Sequence, residues 1–263
     1  MTTVGQIRDA LLQIAPKHLA ESWDNVGLLA GDPTDVVESA MTCLTVTKQT
    51  VDEAISKSVD LLITHHPIPF RPISSITTES PTGDLMWNLA KNGISVYSPH
   101  TAWDSAANGI NQQIANGIGL TNTAPIVVNE KDDNLLGAGR CGDWTGTLSH
   151  LAKVLCEFLH IESLQTVGNL DDDIARVGIA CGSAGEFIPD AKEAGCDVLI
   201  TGETRFHTCL EAESLGINLL LPGHYASERF ASETLAVMIQ DIFQDLSCFA
   251  SESECDPLHW YQP

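Results

Sequence analysis

Histidines and carboxylates gather at four points of the 263-residue chain. Thr64-His65-His66-Pro67 carries two adjacent imidazoles. His100-Thr101-Ala102-Trp103-Asp104 and Gly223-His224-Tyr225-Ala226-Ser227-Glu228 each place a histidine and a carboxylate four positions apart, so that on a helical turn both side chains share one face. The fourth cluster, Thr201-Gly202-Glu203-Thr204-Arg205-Phe206-His207, adds Glu203 and His207. Each cluster alone also has a plain reading: a core or surface histidine pair, a capping arrangement, or an acid complementing a helix dipole. Together they point to a cation. Imidazole nitrogens with shared carboxylates suit borderline divalent ions such as zinc, iron, manganese, nickel or cobalt. More side chains are on offer than one open catalytic ion takes from protein, and a carboxylate can bridge two ions, so a dinuclear centre is the reading that uses them. No C-x-x-C pair occurs, which argues against a structural zinc cage.

The elements that must position these groups repeat. Residues 41–64 align without a gap on 178–201, each closing on Asp-apolar-Leu-Ile-Thr, at Asp60 to Thr64 and Asp197 to Thr201. A second pair follows, 91–100 against 214–224: a helix ending near a glycine, a buried strand, then Pro and His. The apolar runs 42–46 and 177–181 are short enough for strands, and 49–58 and 186–195 have helical character. Strands alternating with helices give an α/β fold: two similar lobes from an internal duplication, with mixed, mostly parallel sheets and right-handed crossovers. In such sheets ligands sit beyond the carboxyl ends of strands, where all four clusters fall. The expected division is 1–125 plus 230–263 for the first lobe and 126–229 for the second, with the metal site between them and a boundary in the Thr-, Asn-, Asp- and Gly-rich stretch 121–147. A helix over 148–159, capped near Thr147 or Ser149, opens the second copy. One more helix and an acidic tail follow Ala231.

Composition narrows the function classes. With 13 basic and 35 acidic side chains the formal charge is −22, which disfavours binding to phosphate backbones or anionic lipid heads. No apolar run approaches the roughly 20 residues of a membrane span. Residues 1–20 read as an amphipathic first helix and not as a signal peptide. Eight cysteines without paired spacing read as buried thiols in a reducing cytoplasm. Trp23, Trp87, Trp103 and Trp144 are expected to anchor the core, and His18, His150, His160 and His259 to lie at the surface or at caps. Gly182-Ser183-Ala184-Gly185 reads as a tight turn before an anion cradle, and Ser74 to Gly83 as a surface loop before a lid.

The residues also carry a resemblance. Trp23-Asp24-Asn25-Val26-Gly27-Leu28, Leu62-Ile63-Thr64-His65-His66-Pro67, Tyr97-Ser98-Pro99-His100-Thr101 with Asp104, Thr201-Gly202-Glu203 with His207, and Gly223-His224 with Ser227-Glu228 resemble, in order, the motifs of the GTP cyclohydrolase I type 2 homologues, also called Nif-three-like dinuclear-metal hexameric proteins. The resemblance implies a Nif-three-like fold and a toroidal homohexamer built as a trimer of dimers. It implies two divalent metal ions per subunit, with His65, His66, Asp104, His224 and Glu228 as ligands and Glu228 bridging both. It further implies a metal-dependent hydrolase acting on a small molecule. For opening of a guanine ring, water would attack C8, with Glu203, His207 or His100 as candidate proton carriers and Arg71 or Arg205 offsetting the repulsion of a triphosphate. Hydrolysis of a phosphoester or amide, and a non-catalytic metal-binding or protein-docking assembly, stand as alternatives. The chain resembles the short members, with no room for a domain inserted between the halves.

Overall fold

The computed structural model describes residues 1–132 and 134–259; the last four positions expected in the first lobe lie outside the described residues. The chain forms two compact units, one made of Met1–Ala102 with the described part of the stretch from Ala231, the other of Trp103–Phe230.

In the first unit a five-stranded sheet runs in the order Gly27–Ala30, Ser95–Ser98, Leu61–Thr64, Ser39–Cys43, Ser247–Ala250. Neighbours are parallel except Gly27–Ala30, which pairs antiparallel with Ser95–Ser98. The runs Leu61–Thr64 and Ser95–Ser98 are buried at every position, as strands covered on both faces must be. The covering helices start where the sequence supplies caps. Thr47 and Thr50 close a reciprocal capping box on Lys48–Ser56, and Ser80 accepts from the Gly83 amide ahead of Pro81–Lys91. Met41, Val51, Ala54, Leu62, Leu89 and Val96 form the core between sheet and helices.

The second unit has a six-stranded sheet in the order Thr121–Ala124, Arg140–Thr147, Asp173–Ile179, Val198–Ile200, Asn218–Leu221, Gln165–Val167. Its three central strands Asp173–Ile179, Val198–Ile200 and Asn218–Leu221 are parallel, and the outer pairings are antiparallel. Three parallel strands with an antiparallel strand beside the third therefore occur in each unit. Helix Leu148–Leu159 starts at the Thr147 cap and closes at His160 in the left-handed conformation.

The structure departs from the sequence expectation in four places. The stretch 121–147 is not a linker, since it supplies Thr121–Ala124 and the eight-residue strand Arg140–Thr147 to the second sheet. The acidic tail includes a strand, Ser247–Ala250, parallel to Ser39–Cys43. Trp103 is buried, but Trp23 is 60% and Trp87 48% exposed, so these two do not anchor the core. Cys255 is exposed and Cys156, Cys209 and Cys248 are half-buried, whereas the other four thiols are buried. No helix among the described residues is long and apolar enough to cross a membrane.

Candidate functional site

In the first unit, His65 and His66 leave the carboxyl end of Leu61–Thr64 while their amides still bond to Cys43 O at 2.9 Å and Leu44 O at 2.8 Å. The ladder thus extends two residues past the strand and fixes where the side chains emerge. Ser98 Oγ donates to His65 O at 2.6 Å, tying the next strand to the same corner. His100 opens the helix His100–Ser105 with φ of 30°, a conformation rare for a residue bearing a Cβ. The His65 ring lies 5.1 Å from both the His66 and His100 rings, centroid to centroid, and the other two are 5.7 Å apart. One nitrogen from each comes within 4.8 Å of the others.

Outer partners fix these rings. Thr45 Oγ1 lies 2.7 Å from His66 Nδ1, and Asp24 Oδ1 lies 2.7 Å from His100 Nδ1. Holding Nδ1 in this way sets the orientation of each ring, as the outer partners of ligating histidines do. Asp24 has a fully buried side chain, and it also accepts from the Asn25 amide, the Thr101 amide and the Thr101 hydroxyl. Burial pushes its carboxyl up, but the bonds from His100 and Thr101 outweigh burial and hold it below the usual carboxylate range. Asp24 joins the cluster without any signal from spacing, because its partner stands 76 positions away. Trp23 and Phe70 are exposed, with ring centroids 6.1 and 6.0 Å from His100.

In the second unit His224 and Glu228 occupy a single helical turn, His224–Glu228, entered through Gly223 at φ of 103°. His224 Nε2 lies 3.1 Å from Glu228 Oε2 and its Nδ1 3.0 Å from Glu203 Oε1. The Glu228 contact foremost, with Glu203 in support, outweighs burial and pushes the imidazole up to about 9 in the metal-free protein. Glu228 is buried. Asp104 receives the Cys181 thiol at 3.3 Å, and burial beside Asp104 and Glu228 drives that thiol well above its ordinary range. Asn111 ties the group together, donating to Asp104 O at 3.1 Å and accepting from the Cys181 amide at 2.8 Å. Gly182 cannot carry a side chain: its φ is +68°, and a Cβ there would meet Glu228 Oε1 at 2.3 Å. The turn beginning at Gly182 therefore packs against the carboxylate of Glu228. His207 is exposed, with its ring edge-on to Phe206 at 5.6 Å.

The donor set suits a borderline divalent ion. Imidazoles held from behind occur in one unit, and an imidazole with the buried carboxylate of Glu228 occurs in the other.

The family described as Duf34/NIF3 (NGG1p interacting factor 3) matches residues 2–257. A Clostridium perfringens protein named GTP cyclohydrolase 1 type 2 homolog is 34% identical over 227 residues, 86% of each chain. The Schizosaccharomyces pombe protein NIF3 homolog is 33% identical over 270 residues, 96% of each chain. Among solved structures, the Staphylococcus aureus protein SA1388 superposes with a TM-score of 0.89 at 26% identity, covering 99% of both chains. A Bacillus cereus protein related to NIF3 gives the same score at 22% identity, also over 99% of both.

Proposed function

The chain belongs to the Duf34/NIF3 family, and on that premise we propose that it is a divalent-metal-binding protein with a dinuclear centre that serves a hydrolase. The observation that carries the reading is the trio His65, His66 and His100, one nitrogen of each within 4.8 Å of the others, with Thr45 and Asp24 holding His66 and His100 from behind; His65 and His66 are its ligands, and His100 stands beside them. In this reading His65, His66, Asp104, His224 and Glu228 would hold two ions per subunit, with Glu228 contributing to both. When bound, such ions lower the pKa of water toward neutrality and polarise a substrate oxygen. The chain supplies the rest. Asp24 sets the His100 ring so that its Nε2 can accept or return a proton, and Glu203, beside His224, is the second candidate proton carrier. His207 is the third. A homohexameric trimer of dimers in the cytoplasm completes the proposal, and the names of the bacterial relatives make a guanine nucleotide the first substrate to try.

Elemental analysis of the purified protein beside its mass in solution tests occupancy and assembly together. Glu228→Ala is expected to lose about half or more of the metal, because it removes a shared ligand. Glu203→Ala is expected to keep the metal and lose about 100-fold in turnover of whichever nucleotide the wild type opens. Metal-free wild type in the presence of micromolar zinc, iron, manganese, nickel and cobalt would end the metal reading. Metal-loaded protein that turns over neither nucleotides nor small phosphoesters and amides would reduce it to a binding assembly.

A further inference from the structure

We propose that the backbone amides of Leu44 and Thr45 form a subsite for the acidic group of the substrate, and that the chain's own Glu254 occupies it in the absence of substrate. The proposal rests on the metal reading only in assigning the subsite to that centre.

Glu254 reaches this place across some 210 positions of sequence: its Oε2 accepts from Leu44 N at 2.8 Å and its Oε1 from Thr45 N at 2.7 Å. Two successive amides meeting the two oxygens of one carboxylate make a concavity suited to an anion. The cradle follows the strand Ser39–Cys43 at its carboxyl end, where open α/β sheets receive ligands. It also adjoins the histidines, because Thr45, which gives its amide to Glu254, has its hydroxyl 2.7 Å from His66 Nδ1. An oxyanion on these amides stands one residue from an imidazole proposed to hold metal.

The turn does not itself require a charge. At the positions that the repeat aligns with Leu44 and Thr45, the Cys181 amide is met by Asn111 Oδ1 at 2.8 Å and the Gly182 amide by Ser227 Oγ at 3.1 Å. Those partners are neutral and sit on helices, Ile110–Gly117 and His224–Glu228. In the first unit the partner is instead a half-buried carboxylate on a non-helical strap, between exposed Ser253 and exposed Cys255. The strap is aimed by Glu53, whose carboxylate accepts from Ser251 Oγ at 2.5 Å, from the Glu252 amide at 3.0 Å and from Ser253 Oγ at 2.7 Å. A chain of net charge −22 thus keeps a pair of anion-seeking amides beside its candidate metal ligands, covered by a side chain that can swing away without unfolding a helix.

The test uses chelator-treated full-length protein, so that no metal can take the probe, with inorganic phosphate and acetate titrated separately by calorimetry. Glu254→Ala is expected to bind phosphate about tenfold tighter than wild type, with Glu254→Gln in between, and crystals of the alanine variant soaked in phosphate should show the ion on the Leu44 and Thr45 amides. Tighter acetate but unchanged phosphate would restrict the subsite to carboxylates, still in its support. Equal affinities in all three proteins, or an ion bound elsewhere with water on the two amides, would overturn it. If the alanine variant does not fold, the glutamine variant decides alone: phosphate affinity no greater than that of wild type refutes the competition. Metal content, measured on untreated samples, reports separately on the centre itself.

Discussion

Glu53 shows how much one buried carboxylate can organise. It sits on the helix Lys48–Ser56, is only 8% exposed, and gathers Ser251, Glu252, Ser253 and Lys57 around its two oxygens. Burial works to raise its carboxyl, but the bonds from Ser251, the Glu252 amide, Ser253 and Lys57 prevail and bring it down to about 2. A carboxyl that ionises more readily folded than unfolded adds stability above its ordinary value of 4.5, and that contribution fades as pH falls toward 2. Glu53→Gln is therefore expected to destabilise by about 2 kcal/mol at pH 7, since hydrogen bonds to a charged group are lost. The difference from wild type should shrink steadily between pH 4.5 and 2. Paired urea titrations across that range measure it, and a difference independent of pH would show that the charge of Glu53 carries none of the stability.

At the scale of elements, Arg140 plays the corresponding part in the second unit. It begins the strand Arg140–Thr147, is buried to 2% exposure, and spends its donors on Gly137 O, Gly139 O, Ser105 O and Ala106 O at 2.7–2.8 Å. Ser105 ends the helix that carries Asp104, so the guanidinium fastens a candidate metal ligand from outside the site. Lysine has neither the planar fork nor five donors. Arg140→Lys is expected to cost about 3 kcal/mol in thermal unfolding, as breaking a buried charged network does, and to lower metal content through Asp104. Full metal occupancy in a destabilised variant would confine Arg140 to holding the fold. Arg140 was not legible in the sequence, because a lone arginine at a strand start reads as solvent-facing and its acceptors, apart from Gln112 Oε1 at 3.1 Å, are backbone carbonyls that no residue type announces. Asp24 stands in the Trp23 to Leu28 motif, but its tie to His100 spans two distant elements and cannot be read from spacing. What was legible had a local cause. That His65, His66, His100 and His224 come just after strands was readable from the short apolar runs before them, which are buried strands here. The strand Ser247–Ala250 lay hidden because it sits at a sheet edge and is partly exposed, so its residues show no buried run.

On the scale of the whole molecule the governing quantity is the charge of −22, which no single contact explains. Carboxylates repel across the surface over a Debye length, about 30 Å at 0.01 M salt and about 8 Å at 0.15 M, so dilute buffer lets most of them act on one another. The folded state concentrates these charges and the unfolded chain disperses them, so self-repulsion favours unfolding. Metal-free protein is therefore expected to gain stability as sodium chloride rises from about 0.01 to 0.5 M, opposite to the trend for a fold held by surface ion pairs. The exposed pairs among the described residues, such as Lys48 with Asp52 and Lys153 with Glu157, are few against the acidic excess, so the repulsive share prevails. A gain of about 1 kcal/mol corresponds to a rise of about 2–4 °C in Tm for a chain of this size. Scanning calorimetry with chelator present measures it, and replacing chloride by sulfate at equal ionic strength separates screening from salting-out. A Tm that falls with chloride would mean that attraction among the charged groups outweighs their repulsion.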